Sequence, residues 1–321
     1  MNDHLNRRDF LHRSSLAPLV IGAGLGLATR PPTAVAAKPI PRAGGPKLKT
    51  SLNAFSFNKQ LLDQLQGIGP GITLLELLDF CAEHNFDAID PTGYYFPGYP
   101  KPPTDDFLYA FKRRAHQLGL EVSGTGVRND FAQKDGALRA AAVQHVREWV
   151  EVAAKLGAPV LRVFAGQLPA GDAWDAAASR CADDLRQCVE FGKQHGVLIG
   201  VQNHGDLLKT SDDVLKLVER VDSDWLGVVV DTGSFKTEDP YVDVAKVMPY
   251  AVNFQVKESP FGKESPVRTD LPRLVKIIRD ANYRGYLPIE TLMLADRPYN
   301  PQELVPKFLA ELRAALDQPS S

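Results

Sequence analysis

The chain has 321 residues, of which 44% are hydrophobic and 24% charged, and a formal net charge of -2. That composition belongs to globular proteins with a full apolar core and excludes extended disorder away from the termini. The near balance of charge also excludes the strongly basic footprint of a nucleic-acid binder, which leaves a small molecule as the expected partner.

At the N-terminus, Asn6-Arg7-Arg8-Asp9-Phe10-Leu11 sets paired arginines ahead of an apolar stretch from Ser14 to Ala28, and Ala34-Val35-Ala36 offers a small-x-small cleavage site. The apolar stretch holds Pro18, Gly22, Gly24 and Gly26 and falls short of the ~20 residues of a spanning helix, so no stable membrane span is expected. Residues 1–37 thus resemble a twin-arginine signal peptide. The resemblance implies the twin-arginine (Tat) export machinery as a partner, export in a folded state, and a periplasmic or otherwise exported location. Pro39, Pro41, Gly44, Gly45 and Pro46 then read as a linker over 38–49.

Beyond the linker, short apolar runs alternate with helix-period segments. Strands are expected at Ser51 to Phe57, Ala88 to Asp90, Glu121 to Thr125, Val160 to Ala165, Val197 to Asn203, Gly227 to Asp231, Val252 to Lys257 and Tyr286 to Glu290. Helices are expected at Thr73 to His84, Thr104 to Leu118, Gly136 to Leu156, Asp172 to His195, Ser211 to Arg220, Val242 to Met248, Leu271 to Ala281 and Pro301 to Leu316. Eight strand-helix units predict an α/β fold, a closed (β/α)8 TIM barrel over 50–317 with a tail at 318–321. An open doubly wound sheet would use the same alternation, but Asn53-Ala54-Phe55-Ser56 after the first strand lacks its glycine-rich fingerprint. Cys181 and Cys188 stand on one expected helix ~10.5 Å apart along its axis, too far for a disulfide.

In such a barrel the C-terminal strand ends gather at one mouth, and polar residues recur there: Gln202-Asn203-His204, Asp231, Gln255-Val256-Lys257-Glu258 and Glu290. His204 is the one histidine that follows a strand, beside Asn203 and Asp206. Asp231 and Glu290 each end an apolar strand, so burial requires a metal, or a cation such as Lys257 or Arg162, to neutralise them. The metal is the preferred reading because Gln202 and Gln255 bring amide oxygens to the same place. Earlier strand ends supply binding groups: Tyr94, Arg128 and Arg162, with Asn203 and Glu258 completing the expected substrate contacts.

Val201-Gln202-Asn203-His204, Val230-Asp231-Thr232-Gly233, Gln255-Val256-Lys257-Glu258 and Pro288-Ile289-Glu290 resemble the strand-five to strand-eight motifs of the xylose isomerase-like TIM-barrel superfamily, in its sugar phosphate isomerase/epimerase branch. The resemblance implies a divalent metal held by four residues. Asp231 and Glu290 match that pattern, while Gln202 stands where the family has Glu and Gln255 where it has His. Amides in those places favour Mg²⁺, Mn²⁺ or Ca²⁺ over Zn²⁺. Because Gln202 cannot act as a base, two-base epimerisation is disfavoured relative to proton transfer on one face by Glu290, with Lys257 and His204 as further catalytic candidates.

The expectation is therefore an exported sugar isomerase or epimerase-like enzyme that abstracts a proton next to a carbonyl of a free sugar or glycoside. A lyase acting on 3-keto-glycosides and a non-catalytic sugar-binding barrel are the alternatives. The sequence leaves open whether the chain forms a homo-oligomer.

Overall fold

The computed structural model describes residues 38–205 and 207–319. The expected signal segment, residues 1–37, and Asp206 lie outside the described residues. Nine parallel strand segments run in the order β3-β2-β1-β9-β8-β7-β6-β5-β4. They are β1 (Lys47–Asn53), β2 (Ala88–Asp90), β3 (Glu121–Val122), β4 (Thr125–Gly126), β5 (Val160–Phe164), β6 (Leu198–Gln202), β7 (Leu226–Asp231), β8 (Ala251–Lys257) and β9 (Arg284–Glu290). The helices are α1 (Asn58–Gln66), α2 (Leu74–Glu83), α3 (Asp105–Gln117), α4 (Gly136–Leu156), α5 (Trp174–His195), α6 (Ser211–Val221), α7 (Pro240–Val247), α8 (Leu271–Asp280) and α9 (Pro301–Asp317).

The result is a nearly closed barrel, as the alternation predicts. The third expected strand is split: β3 pairs with β2, β4 pairs with β5, and an isolated bridge between Thr92 and Gly126 joins the two edges. The break falls at Gly124, where an added Cβ would lie 2.7 Å from Asn253 Nδ2 and 3.0 Å from Asp90 Oδ2. A side chain there would have to displace the ends of Asn253 and Asp90, which are bonded to each other.

The first strand also departs from expectation. It begins at Lys47, so Lys47 to Lys49 belong to the barrel and not to the linker, and it ends at Asn53. The Asn53 side chain accepts the Phe55 N–H at 2.8 Å and turns the chain into a short 3-10 segment (Ala54–Phe57) that runs on into α1. Asn is a strong helix starter for this reason, and the following apolar alternation does not outweigh it. Within the linker, Arg42 donates to the carbonyls of Met248 and Ala251 at 2.9 and 2.8 Å, which ties the segment to the start of β8.

Outward strand residues such as Val201, Val228, Val230, Phe254, Val256 and Ile289 are fully buried and share one core with helix residues such as Leu217 and Leu274. Each such side chain contributes roughly 1.5–3 kcal/mol through burial. Helix starts are capped locally: Thr73 with Glu76 and Thr210 with Asp213 form reciprocal capping boxes.

One irregularity decides which side chains of β8 reach the mouth. Val228 pairs with Ala251 but Val229 pairs with Asn253, so Val252 is an extra residue on β8. It sits against the barrel interior, where a Cβ on Gly227 would come within 2.2 Å of its methyl group. Side chains alternate along a strand, and the added residue shifts the phase so that Asn253, Gln255 and Lys257 share the inner face. No helix of the described residues is long and apolar enough to cross a membrane. Cys81, Cys181 and Cys188 are free and buried, and the spacing of Cys181 and Cys188 on one helix accounts for the absence of a bridge between them.

Candidate active site

A cavity of about 220 Å³ opens at the C-terminal ends of the strands. Of the residues singled out by sequence, Gln202, His204, Gln255, Lys257 and Glu290 line it from one side and Tyr94, Arg128 and Arg162 from the other. The alternation of strands explains why Lys257 belongs and Glu258 does not. Gln255 and Lys257 have one parity, Val256 and Glu258 the other.

Lys257 and Glu290 are register partners on β8 and β9, and the ammonium bonds Glu290 Oε1. Its Nζ also lies 3.8 Å from Asp231 Oδ2, a separation worth about 4 kcal/mol of attraction at an effective dielectric near 20. Asp231 is fully buried beneath this pair and does not line the cavity. Its Oδ1 accepts the Gly233 N–H at 2.9 Å and its Oδ2 accepts Gln202 Nε2 at 2.7 Å. Burial opposes the charge on Lys257, but Asp231 and Glu290 outweigh it and raise its pKa, so the ammonium persists at neutral pH. Burial raises the pKa of Glu290, with Asp231 adding repulsion and Lys257 offsetting part of the rise. A carboxylate so placed is a stronger base than an exposed one.

Asn203 and Glu258 serve the frame of the site and not its lining. Asn203 donates to the Asp231 carbonyl at 2.9 Å and accepts the Asp231 N–H at 2.7 Å, a two-way clasp between β6 and β7. Glu258 accepts the Leu292 N–H at 2.7 Å and Arg297 Nη2 at 2.5 Å, with Arg268 3.6 Å away, and so fastens the loop after β8 to the loop after β9. Neither of these two expected substrate contacts is among the residues that line the cavity.

His204 is exposed at the mouth with its ring 5.0 Å from that of Phe164. Desolvation by the cavity wall lowers its pKa; Asp231 pulls the other way, and Lys257, Arg162 and Lys236 add to the lowering. The imidazole is therefore neutral at pH 7 and can donate or accept a hydrogen bond. Asn53, Phe55, Thr92 and Phe164 also line the cavity, and sequence reasoning did not assign them there. Asn53 ends β1 as Glu290 ends β9, so the same strand-end rule would have found it. Asp90, at the end of β2, is not at the rim: it is buried and bonded to Asn253, and desolvation pushes its pKa up to about 6.

Gln202, Asp231, Gln255 and Glu290 do converge, but their donors do not suit a divalent cation. Gln202 turns its nitrogen, not its oxygen, toward Asp231. Asn53 holds the Gln255 oxygen, because Asn53 Oδ1 is already committed to the Phe55 N–H and only its amide nitrogen is left to face Gln255. The Lys257 ammonium stands between the two carboxylates. A metal there would meet N–H groups where it requires oxygen lone pairs. Among the described residues, no three His, Cys, Asp or Glu side chains form a metal-holding group.

Comparison with known proteins agrees with this architecture. The solved structure of 3-keto-D-glucoside 4-epimerase from E. coli superposes with a TM-score of 0.64 at 15% identity, covering 84% of this chain and 99% of that one. D-psicose 3-epimerase from Clostridium cellulolyticum H10 gives a TM-score of 0.68 at 13% identity, covering 84% of this chain and 100% of that one. At these identities the likeness is one of fold. Among curated proteins, the C-glycoside deglycosidase alpha subunit of Arthrobacter globiformis is 26% identical over 182 residues, 54% of this chain and 40% of that protein, so the match spans less than half of the relative's length. The profile of the xylose isomerase-like TIM barrel matches residues 78–312, and the chain belongs to that family.

Proposed function

We propose that this protein is a sugar-converting enzyme that removes a proton from a carbon next to a carbonyl, with Glu290 as the base. The observation that carries the reading is the Lys257–Glu290 pair, buried between β8 and β9 and open to the cavity. Glu290 accepts the proton; the negative charge that then develops on the carbonyl oxygen faces the Lys257 ammonium, which is fixed in advance by Asp231. Family relatives supply this electrostatic help with a divalent metal. Here the donor set points to Lys257, and no step is assigned to a metal.

Glu290 is the one carboxylate that lines the cavity among the described residues, since Asp231 lies beneath Lys257. One base supports proton transfer on a single face, which serves an aldose-ketose isomerisation or an elimination. The elimination has separate support from the curated relative, a C-glycoside deglycosidase subunit. The paired Arg7-Arg8 and the apolar stretch after them support export by the Tat route, which would place the enzyme among free sugars and glycosides.

Incubation of a panel of free and 3-keto sugars in D₂O, followed by NMR, tests the reading. Deuterium should enter the carbon next to the carbonyl of at least one substrate. No exchange and no product across the panel, with wild type and Glu290→Gln alike, would leave a sugar-binding barrel without catalysis.

A further inference from the structure

Arg162 and Arg128 bring two guanidinium groups to the cavity that no carboxylate of the described residues pairs directly. Arg162, on β5, is only 7% exposed. Its Nη1 donates to the Val127 carbonyl at 2.6 Å and to the Tyr94 hydroxyl at 3.0 Å, whereas its Nε and Nη2 have no acceptor among the described residues. Arg128, beyond β4, has no acceptor for its guanidinium among them either. Both guanidinium groups ride on the same ring, Tyr94, at 5.1 and 5.5 Å from its centroid. Cation–π attraction offsets some of their mutual repulsion, but the buried Arg162 guanidinium has no direct ion-pair partner among the described residues.

No carboxylate of the described residues reaches ion-pair distance of either arginine. Asp90 feels the field of Arg162 but is bonded to Asn253, and Glu290 is paired with Lys257. The backbone makes room for the guanidinium: a Cβ on Gly126 would lie 2.6 Å from Arg162 Cζ and Nε. In the sheet order β5 is four strands from β9, so Arg162 stands across the mouth from Glu290. The arginines therefore meet the end of a bound molecule away from the reacting carbon.

We propose that the substrate carries a carboxylate, as a sugar acid does, and that Arg162 and Arg128 with Tyr94 form its subsite opposite the Lys257–Glu290 pair. The free Nε–Nη2 edge of Arg162 offers two parallel N–H groups, which match the two oxygens of a carboxylate. The cavity of about 220 Å³ is smaller than the ~300–1,000 Å³ of drug-sized sites and suits one sugar ring. Desolvation lowers the pKa of His204 and Asp231 opposes it, while Lys257, Arg162 and Lys236 add smaller lowering contributions of their own. The subsite narrows the proton-transfer reading above and rests on it for the position of the reacting carbon.

Isothermal titration of D-glucuronate and D-galacturonate against D-glucose, D-galactose and their 6-phosphates tests the subsite. A uronate should bind roughly tenfold or more tightly than its neutral parent, the usual effect of a charge-assisted pair. The preference should shrink with added salt and fall toward unity in Arg128→Gln, an exposed position whose melting temperature should match wild type, and in Arg162→Met. Equal binding of acid and parent, a preference for the 6-phosphates, or a preference that survives in Arg128→Gln overturns the proposal. Deuterium exchange on the same samples separates the two readings. Acid preference without exchange upholds the subsite and removes the proton-transfer reading, whereas exchange on neutral sugars without acid preference does the reverse.

Discussion

Lys257 and Glu290 face each other across adjacent strands, and the ammonium of one fills the place between two buried carboxylates that a cation must occupy. Removing one member of such a set leaves the other charges without compensation. Lys257→Met should therefore destabilise the fold by about 3–5 kcal/mol at neutral pH. Without the ammonium, the pKa of Glu290 rises further above its ordinary 4.5. A carboxyl raised in the folded state stabilises below its unfolded pKa and loses that contribution as pH rises through the folded value, so the loss should be smaller at pH 5 than at pH 8. Urea unfolding at the two pH values measures it, and an equal loss at both would show that Lys257 does not neutralise these acids.

Glu290→Gln keeps the shape of the side chain and removes the base. Deuterium exchange should fall by about 10²–10⁴-fold, the range for loss of a general base. Exchange by wild type should decline on the acid side, with a midpoint above 4.5, because burial holds the Glu290 proton more tightly. A midpoint at or below that value would assign the base to another group.

The metal-holding pattern of the family becomes a test of Lys257. Titration of Mn²⁺ into wild type should give no stoichiometric binding, and chelator should leave exchange unchanged. The variant Lys257→Ala with Gln202→Glu and Gln255→His removes the competing ammonium, restores a carboxylate and an imidazole, and should bind Mn²⁺. Stoichiometric Mn²⁺ on wild type would overturn the assignment of Lys257 to the cation's place.

The barrel and most of its mouth were legible from strand-end polar residues, because parallel strands surrounded by helices leave their C-terminal ends as the natural place for buried polar groups. Parity along a strand separates lining from frame, Gln202 from Asn203 and Lys257 from Glu258, and the expectation of substrate contacts at Asn203 and Glu258 passed it over. Contacts made across the barrel were not. The bulge at Val252 depends on register with β7, the split at Gly124 on Asp90 and Asn253, and the turn after β1 on one Asn53 hydrogen bond. The pairing of Lys257 with both acids is likewise a tertiary fact, since the sequence pointed first to a metal, with Lys257 or Arg162 as the alternative source of positive charge.

Asp90 provides a pH test that does not involve catalysis. It is buried under the mouth, accepts a bond from Asn253 at 3.1 Å, and is held protonated up to about pH 6 against an ordinary value of 3.8. Between those values the folded state binds the proton that the unfolded chain has released, so stability falls as pH rises through the window. The contribution lost by neutral pH is about 3 kcal/mol, from a rise of roughly two units. Asp90→Asn removes the ionisation while keeping the size and one acceptor of the side chain. Its stability relative to wild type, from urea unfolding, should therefore increase between pH 4 and pH 7.5 and level off above. A difference that stays constant over that range would mean that Asp90 remains ionised in the fold, with Arg162 supplying more compensation than its separation from Asp90 suggests.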